Sequence, residues 1–101
     1  MARPVVIVQR AIVDLRWFRV YYDDIFPEGL SRANAQIDKI LRLLASYPKM
    51  GRPAGKSPRR QFSIPNIPFT IVYRDKGDVI EILRILDQRS ESYLKDLFER
   101  S

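Results

Sequence analysis

Phe69-Thr70-Ile71-Val72-Tyr73-Arg74-Asp75-Lys76-Gly77-Asp78-Val79-Ile80-Glu81-Ile82-Leu83-Arg84-Ile85-Leu86 is the stretch on which the fold turns. Two runs rich in β-branched and aromatic residues flank Asp75-Lys76-Gly77-Asp78. Such runs favour strands, and Gly77 can take the positive φ that a tight hairpin connection needs. Residues 69–74 and 79–86 therefore read as an antiparallel pair. The second run is apolar apart from Glu81 and Arg84, which suits a central strand.

Upstream of the pair, Arg60-Gln61-Phe62-Ser63-Ile64 reads as a further strand, and Pro65-Asn66-Ile67-Pro68 turns the chain. The segment 48–59 carries Pro48, Pro53 and Pro58 with Gly51 and Gly55, and reads as a loop. Before it the apolar period changes from two to between three and four. Ala33, Ile37, Ile40, Leu41 and Leu44 predict a helix over 30–47 that Pro48 ends. Ala11, Leu15, Phe18, Tyr22 and Ile25 predict an earlier helix that Pro27 and Gly29 stop. So short a connection makes the two an antiparallel helix hairpin. Val5-Val6-Ile7-Val8 reads as a first strand buried on both faces. A last amphipathic helix is expected from Ser90, its N-cap, with Glu91 in its first turn and an apolar face of Tyr93, Leu94, Leu97 and Phe98. The order β-α-α-β-β-β-α defines a single α+β domain over 1–101, a helix hairpin packed on a small, mainly antiparallel sheet.

Composition narrows the chemistry. The chain contains neither Cys nor His, which excludes disulfides, thiolate or Ser-His-Asp catalysis, and Cys- or His-ligated metals. No cofactor or metal is expected, and acid–base work would fall to Asp, Glu, Lys, Tyr or Arg. No apolar run approaches the ~20 residues of a membrane span, and the N-terminus has no long apolar leader, so a cytoplasmic protein is expected. The net charge is +6, and no acidic residue occurs between Asp38 and Asp75. Lys39, Arg42, Lys49, Arg52, Lys56, Arg59, Arg60 and Arg74 fill that interval. A block of one sign suits a polyanionic partner or an acidic protein segment, and equally a solvated basic surface.

The first helix also carries a second apolar stripe, Val13, Trp17 and Val20, on the side opposite its core face. Either the last helix covers it or a partner chain does.

Pro48, Gly51-Arg52, Arg60-Gln61-Phe62, the strand ending in Tyr73-Arg74, the apolar strand Ile80–Leu86 and the helix start Ala11…Asp14-Leu15 follow one another as in the RelE/ParE toxin family. The chain resembles that family from about residue 11 to 89, and resembles its ParE branch more than its RelE branch. The resemblance implies a small toxin of a type II toxin–antitoxin system, paired with a cognate antitoxin. A ParE-type toxin would block DNA gyrase without being an enzyme. A RelE-type toxin would instead cleave mRNA on the ribosome. A non-toxic interaction module is the third possibility.

For RNA cleavage, clustered arginines would stabilise the phosphorane-like transition state. The matching residues are Arg59, Arg60, Arg74, Arg89 and Tyr93. Tyr93 also lies on the apolar stripe of the last helix, as a packing residue would. Asp87 stands where many relatives carry His, and its charge would repel phosphate. Candidates for contact with the target are Arg52, Arg60, Arg84 and Arg89. Arg52 could instead cap the carbonyls that end the second helix. Arg84 interrupts an apolar strand and either pairs with a carboxylate such as Glu81 or faces an open sheet surface; a partly buried Arg calls for some partner, within the chain or outside it. An antitoxin commonly lays an amphipathic helix on its toxin, and Val13, Trp17, Val20 and Tyr21 are the candidate contacts.

Overall fold

The computed structural model describes residues 3–25, 27–54 and 58–88. In chain order the elements are β1 (Val5–Ile7), α1 (Gln9–Ile25), a 3-10 turn (Pro27–Gly29), α2 (Leu30–Ser46), β2 (Arg52–Pro53), β3 (Arg59–Ser63), β4 (Phe69–Asp75) and β5 (Ile80–Asp87). The strands form one five-stranded sheet in the order β1-β5-β4-β3-β2. Only β1 runs parallel to its neighbour, with Val5 opposite Ile80 and Ile7 opposite Ile82. The other three pairings are antiparallel.

Side-chain alternation decides which residues the sheet offers to the helices. Along β4, Phe69, Ile71 and Tyr73 join the core with Ala11, Phe18 and Tyr22 of α1 and Ala33, Ile37, Ile40 and Leu44 of α2. Phe18 meets Phe69 edge to face, with ring centroids 4.8 Å apart. That geometry sets ring edge against ring face and adds about 1 kcal/mol to the burial itself. Thr70 and Val72 point the other way and are also buried. The hairpin after β4 closes as its residues demand. Gly77 has φ +91°, its N–H donates to Asp75 Oδ1 at 2.8 Å, and Lys76 N–H donates to the Val79 carbonyl at 2.9 Å.

Three local expectations change. First, β1 is an edge strand, and Val6 is 45% exposed. Val5 and Ile7 are half-buried against the core while Val6 faces out, so the strand is covered on one face rather than both. Second, the segment 48–59 contributes β2, a two-residue strand in which Arg52 lies opposite Gln61 and Pro53 opposite Arg60. Proline is tolerated there because the strand is at the sheet's edge, where its missing N–H costs no ladder bond. Third, β4 and β5 slip register between Val72 and Tyr73, so Leu83 is an extra residue opposite that step. The helix expected from Ser90 lies outside the described residues. No helix among the described residues is long and apolar enough to cross a membrane.

Candidate functional site

The end of α2 and the start of β2 are built around Tyr73. Its hydroxyl donates to the Pro48 carbonyl at 2.7 Å and accepts the Gly51 N–H at 2.8 Å. Arg60 donates from Nη1 to the Gly51 carbonyl at 2.8 Å. A Cβ on residue 51 would lie 2.6 Å from the Tyr73 hydroxyl, so glycine is required by close approach rather than by its φ. Burial pushes the Tyr73 phenol above its ordinary value of 10.0, against the opposing pull of the Gly51 N–H and the Arg60 cation. The phenol is therefore a neutral strut within the framework.

This strut displays Arg52. The side chain is exposed on β2 and does not cap α2. The last turn of α2 closes instead with Tyr47 N–H donating to the Leu43 carbonyl at 2.7 Å. Five residues before Arg52, Tyr47 is 63% exposed and stands with Pro48, Lys49 and Met50 along an open groove that Arg3 and Asp75 complete. Tyr47 is missed by sequence reading because it continues the helix's apolar spacing from Leu44. Only the chain's turn at Pro48 leaves it in solvent.

The groove is closed at one side by an ion pair between Arg3 and Asp75. Asp75 also accepts the Gly77 N–H, and this bond, followed by the Arg3 pairing, holds its carboxyl below the ordinary 3.8. A depressed folded-state value stabilises the fold above the unfolded value, and that contribution is lost as pH falls through the folded one. Asp75→Asn should therefore lower Tm at about pH 6, and the difference should shrink as pH is lowered from there through the folded-state value. Thermal melts across that range check it.

The register separates the nuclease candidates. Arg59 lies opposite Arg74 across β3 and β4, and Arg60 lies opposite Tyr73. Arg60 thus shares the hairpin side of the sheet with Tyr73, while Arg59 and Arg74 share the other side. Arg74 is itself paired, its Nε donating to Glu81 Oε1 at 3.1 Å, and Lys76 lies 4.0 Å from the same carboxylate. Arg89 and Tyr93 lie outside the described residues. Asp87 ends β5, opposite Phe69.

Arg84 has a different partner from the one its own strand suggested. Its Nε donates to Asp14 Oδ2 at 2.8 Å and its Nη2 to Oδ1 at 3.1 Å. The Ile85 N–H also donates to Asp14, at 2.9 Å. Both side chains are nearly buried, at 14% and 11% exposed. The carboxylate takes the place a neighbouring strand's carbonyl would occupy beyond the end of β1. Asp14 is visible in the sequence as an acid beside the core face of α1, but nothing there shows that β5 loses its neighbour at that level.

The outer stripe of α1 is uncovered. Val13 is 40% exposed, Trp17 69% and Val20 47%. The side chain of Tyr21 is not among those described. The described residues contain no group of three or more acidic residues placed to hold a metal ion.

The class comes first from the fold. A helix hairpin on this five-stranded mixed sheet matches a chain of the chromosomal ParDE toxin–antitoxin system from P. aeruginosa with a TM-score of 0.72 and 26% identity, over 83% of this chain and 94% of that one. The domain is thus a ParE-like α+β toxin fold. The model of the ParE toxin of type II toxin–antitoxin systems matches residues 5–92. Y4kP of Sinorhizobium fredii, a protein named as a toxin, is 34% identical over 77 residues, 76% of this chain and 79% of that protein. This chain belongs to the ParE toxin family.

Proposed function

We propose that this protein arrests growth in the cytoplasm by binding DNA gyrase, and that a cognate antitoxin neutralises it by covering the outer stripe of α1. Membership of the ParE family carries the reading. The register favours gyrase over mRNA cleavage, since Arg60 and the Arg59–Arg74 pair lie on opposite sides of the sheet and cannot converge on one phosphate. Arg52, held outward by the Gly51–Tyr73 strut, is the contact we assign to the target. Arg60 supports that surface through Gly51, whereas Arg84, on β5 and three strands away from β2, is held by Asp14 of α1.

Induction of the gene alone, with thymidine and methionine incorporation followed together, tests the target. Thymidine uptake is expected to fall first. An earlier fall in methionine uptake would transfer the reading to the ribosome and make Arg89 and Tyr93 the residues to replace. Normal uptake of both would leave the fold without a toxin's activity.

The antitoxin assignment has its own test. Trp17 is large, aromatic and uncovered, the kind of side chain that anchors an interface. Trp17→Ala should weaken antitoxin binding by about 2 kcal/mol, roughly thirtyfold in Kd by calorimetry. An unchanged Kd would place the antitoxin elsewhere.

A further inference from the structure

The outer face of α1 holds more than an apolar stripe. Arg10 precedes Val13 by about one turn, and Asp24 follows Val20 by about one turn. At about 100° per residue both fall on the flank of the stripe where Trp17 lies. Both are exposed, and none of the ion pairs among the described residues uses either. The pattern is symmetric: Arg10 and Asp24 each stand seven residues from Trp17, with Val13 four before it and Val20 three after.

A helix face that is apolar at its centre, basic at one end and acidic at the other complements itself when turned end for end. We propose that a second copy of this chain docks antiparallel along α1, about a two-fold axis at Trp17. Val13 then packs on the partner's Val20, the two Trp17 indoles meet, and Arg10 pairs with the partner's Asp24 at both ends. On the other flank the two Arg16 cations approach each other, which lowers the affinity. The arrangement is isologous, so every contact occurs twice and the assembly closes at two copies.

One helix pair buries less than the ~1,200 Å² of a stable interface. The dimer is therefore concentration-dependent, and an antitoxin that takes the same stripe displaces the second copy. The pairing rests on the stripe and its two charges, so it can hold even if the antitoxin binds elsewhere.

Sedimentation equilibrium of the full-length protein over a wide concentration range tests the pairing. Trp17 is the chain's one tryptophan, so its emission reports the stripe directly. Association is expected, with a blue shift of emission that follows concentration. R10D and D24R, both at exposed positions, should each weaken association about tenfold or more, because each sets like charges opposite at both ends. Mixing the two variants should restore it, since every end of the mixed dimer then carries opposite charges, and the double variant should recover it too. A monomer at all concentrations would overturn the proposal, as would a mixture that associates no better than its components. A blue-shifted emission independent of concentration would also overturn it, because the chain itself would then be covering the stripe.

Discussion

Gly51→Ala is expected to cost about 2–6 kcal/mol of folding stability. The added methyl would sit 2.6 Å from the Tyr73 hydroxyl, 2.7 Å from the Gln61 carbonyl oxygen and 2.8 Å from Tyr73 Cε1. None of these can yield cheaply. Tyr73 is fully buried, so its ring has no space to swing into. Gln61 is paired with Arg52, so moving its carbonyl opens the β2–β3 ladder. Overpacking of this kind costs about 1–3 kcal/mol, and separating the hydroxyl from its buried partners adds about 1–3 kcal/mol. Urea unfolding followed by far-ultraviolet circular dichroism reads the loss. Tyr73→Phe should cost less, about 1–2 kcal/mol, because it leaves the Gly51 N–H and the Pro48 carbonyl unpaired but adds no bulk. The double variant should be less unstable than the two losses added together, since removing the hydroxyl removes the nearest clash. A parent-like midpoint for Gly51→Ala would mean that Tyr73 does not clamp this turn.

The second large effect belongs to Asp14 and Arg84. Breaking a buried ion pair by removing one partner costs about 3–5 kcal/mol, whereas an exposed pair is worth about 1 kcal/mol or less. With side chains 14% and 11% exposed, this pair lies near the buried limit, and losses of about 3 kcal/mol are expected. Asp14→Ala should be the worse of the two. It strands the Arg84 guanidinium and also takes the acceptor from the Ile85 N–H, whereas Arg84→Ala leaves Asp14 that N–H. Replacing both by apolar residues of similar size should recover much of the loss, as apolar packing can substitute for a buried pair. Losses below about 0.5 kcal/mol for each single variant would show the pair to be a surface contact.

How much of this was legible in the sequence follows from the range of the interactions concerned. The helix hairpin and the β3-β4-β5 succession rest on periodicity and on turn residues such as Gly77, Pro27 and Pro48, which act within a few positions of themselves. The α1 stripe was legible for the same reason, since Val13, Trp17 and Val20 share a face by spacing alone. What escaped depends on which elements lie together. Val6 is exposed because β1 is covered on one face only, and the two-residue β2 follows from Tyr73 drawing Gly51 against the sheet. Arg84 called for a partner, but the choice of Asp14 over Glu81 was settled by contact across about 70 positions of sequence. Arg52 and Arg60 resembled each other as basic residues in one block. The register made one an exposed guanidinium and the other a brace on the Gly51 carbonyl.

DNA supercoiling by purified gyrase, with the full-length protein titrated in, tests the gyrase reading most directly. Supercoiling of relaxed plasmid is expected to fall with dose, to return when equimolar antitoxin is added, and to be less affected by an Arg52→Glu variant that still folds. Full supercoiling in the presence of excess protein that still arrests growth in cells would contradict it.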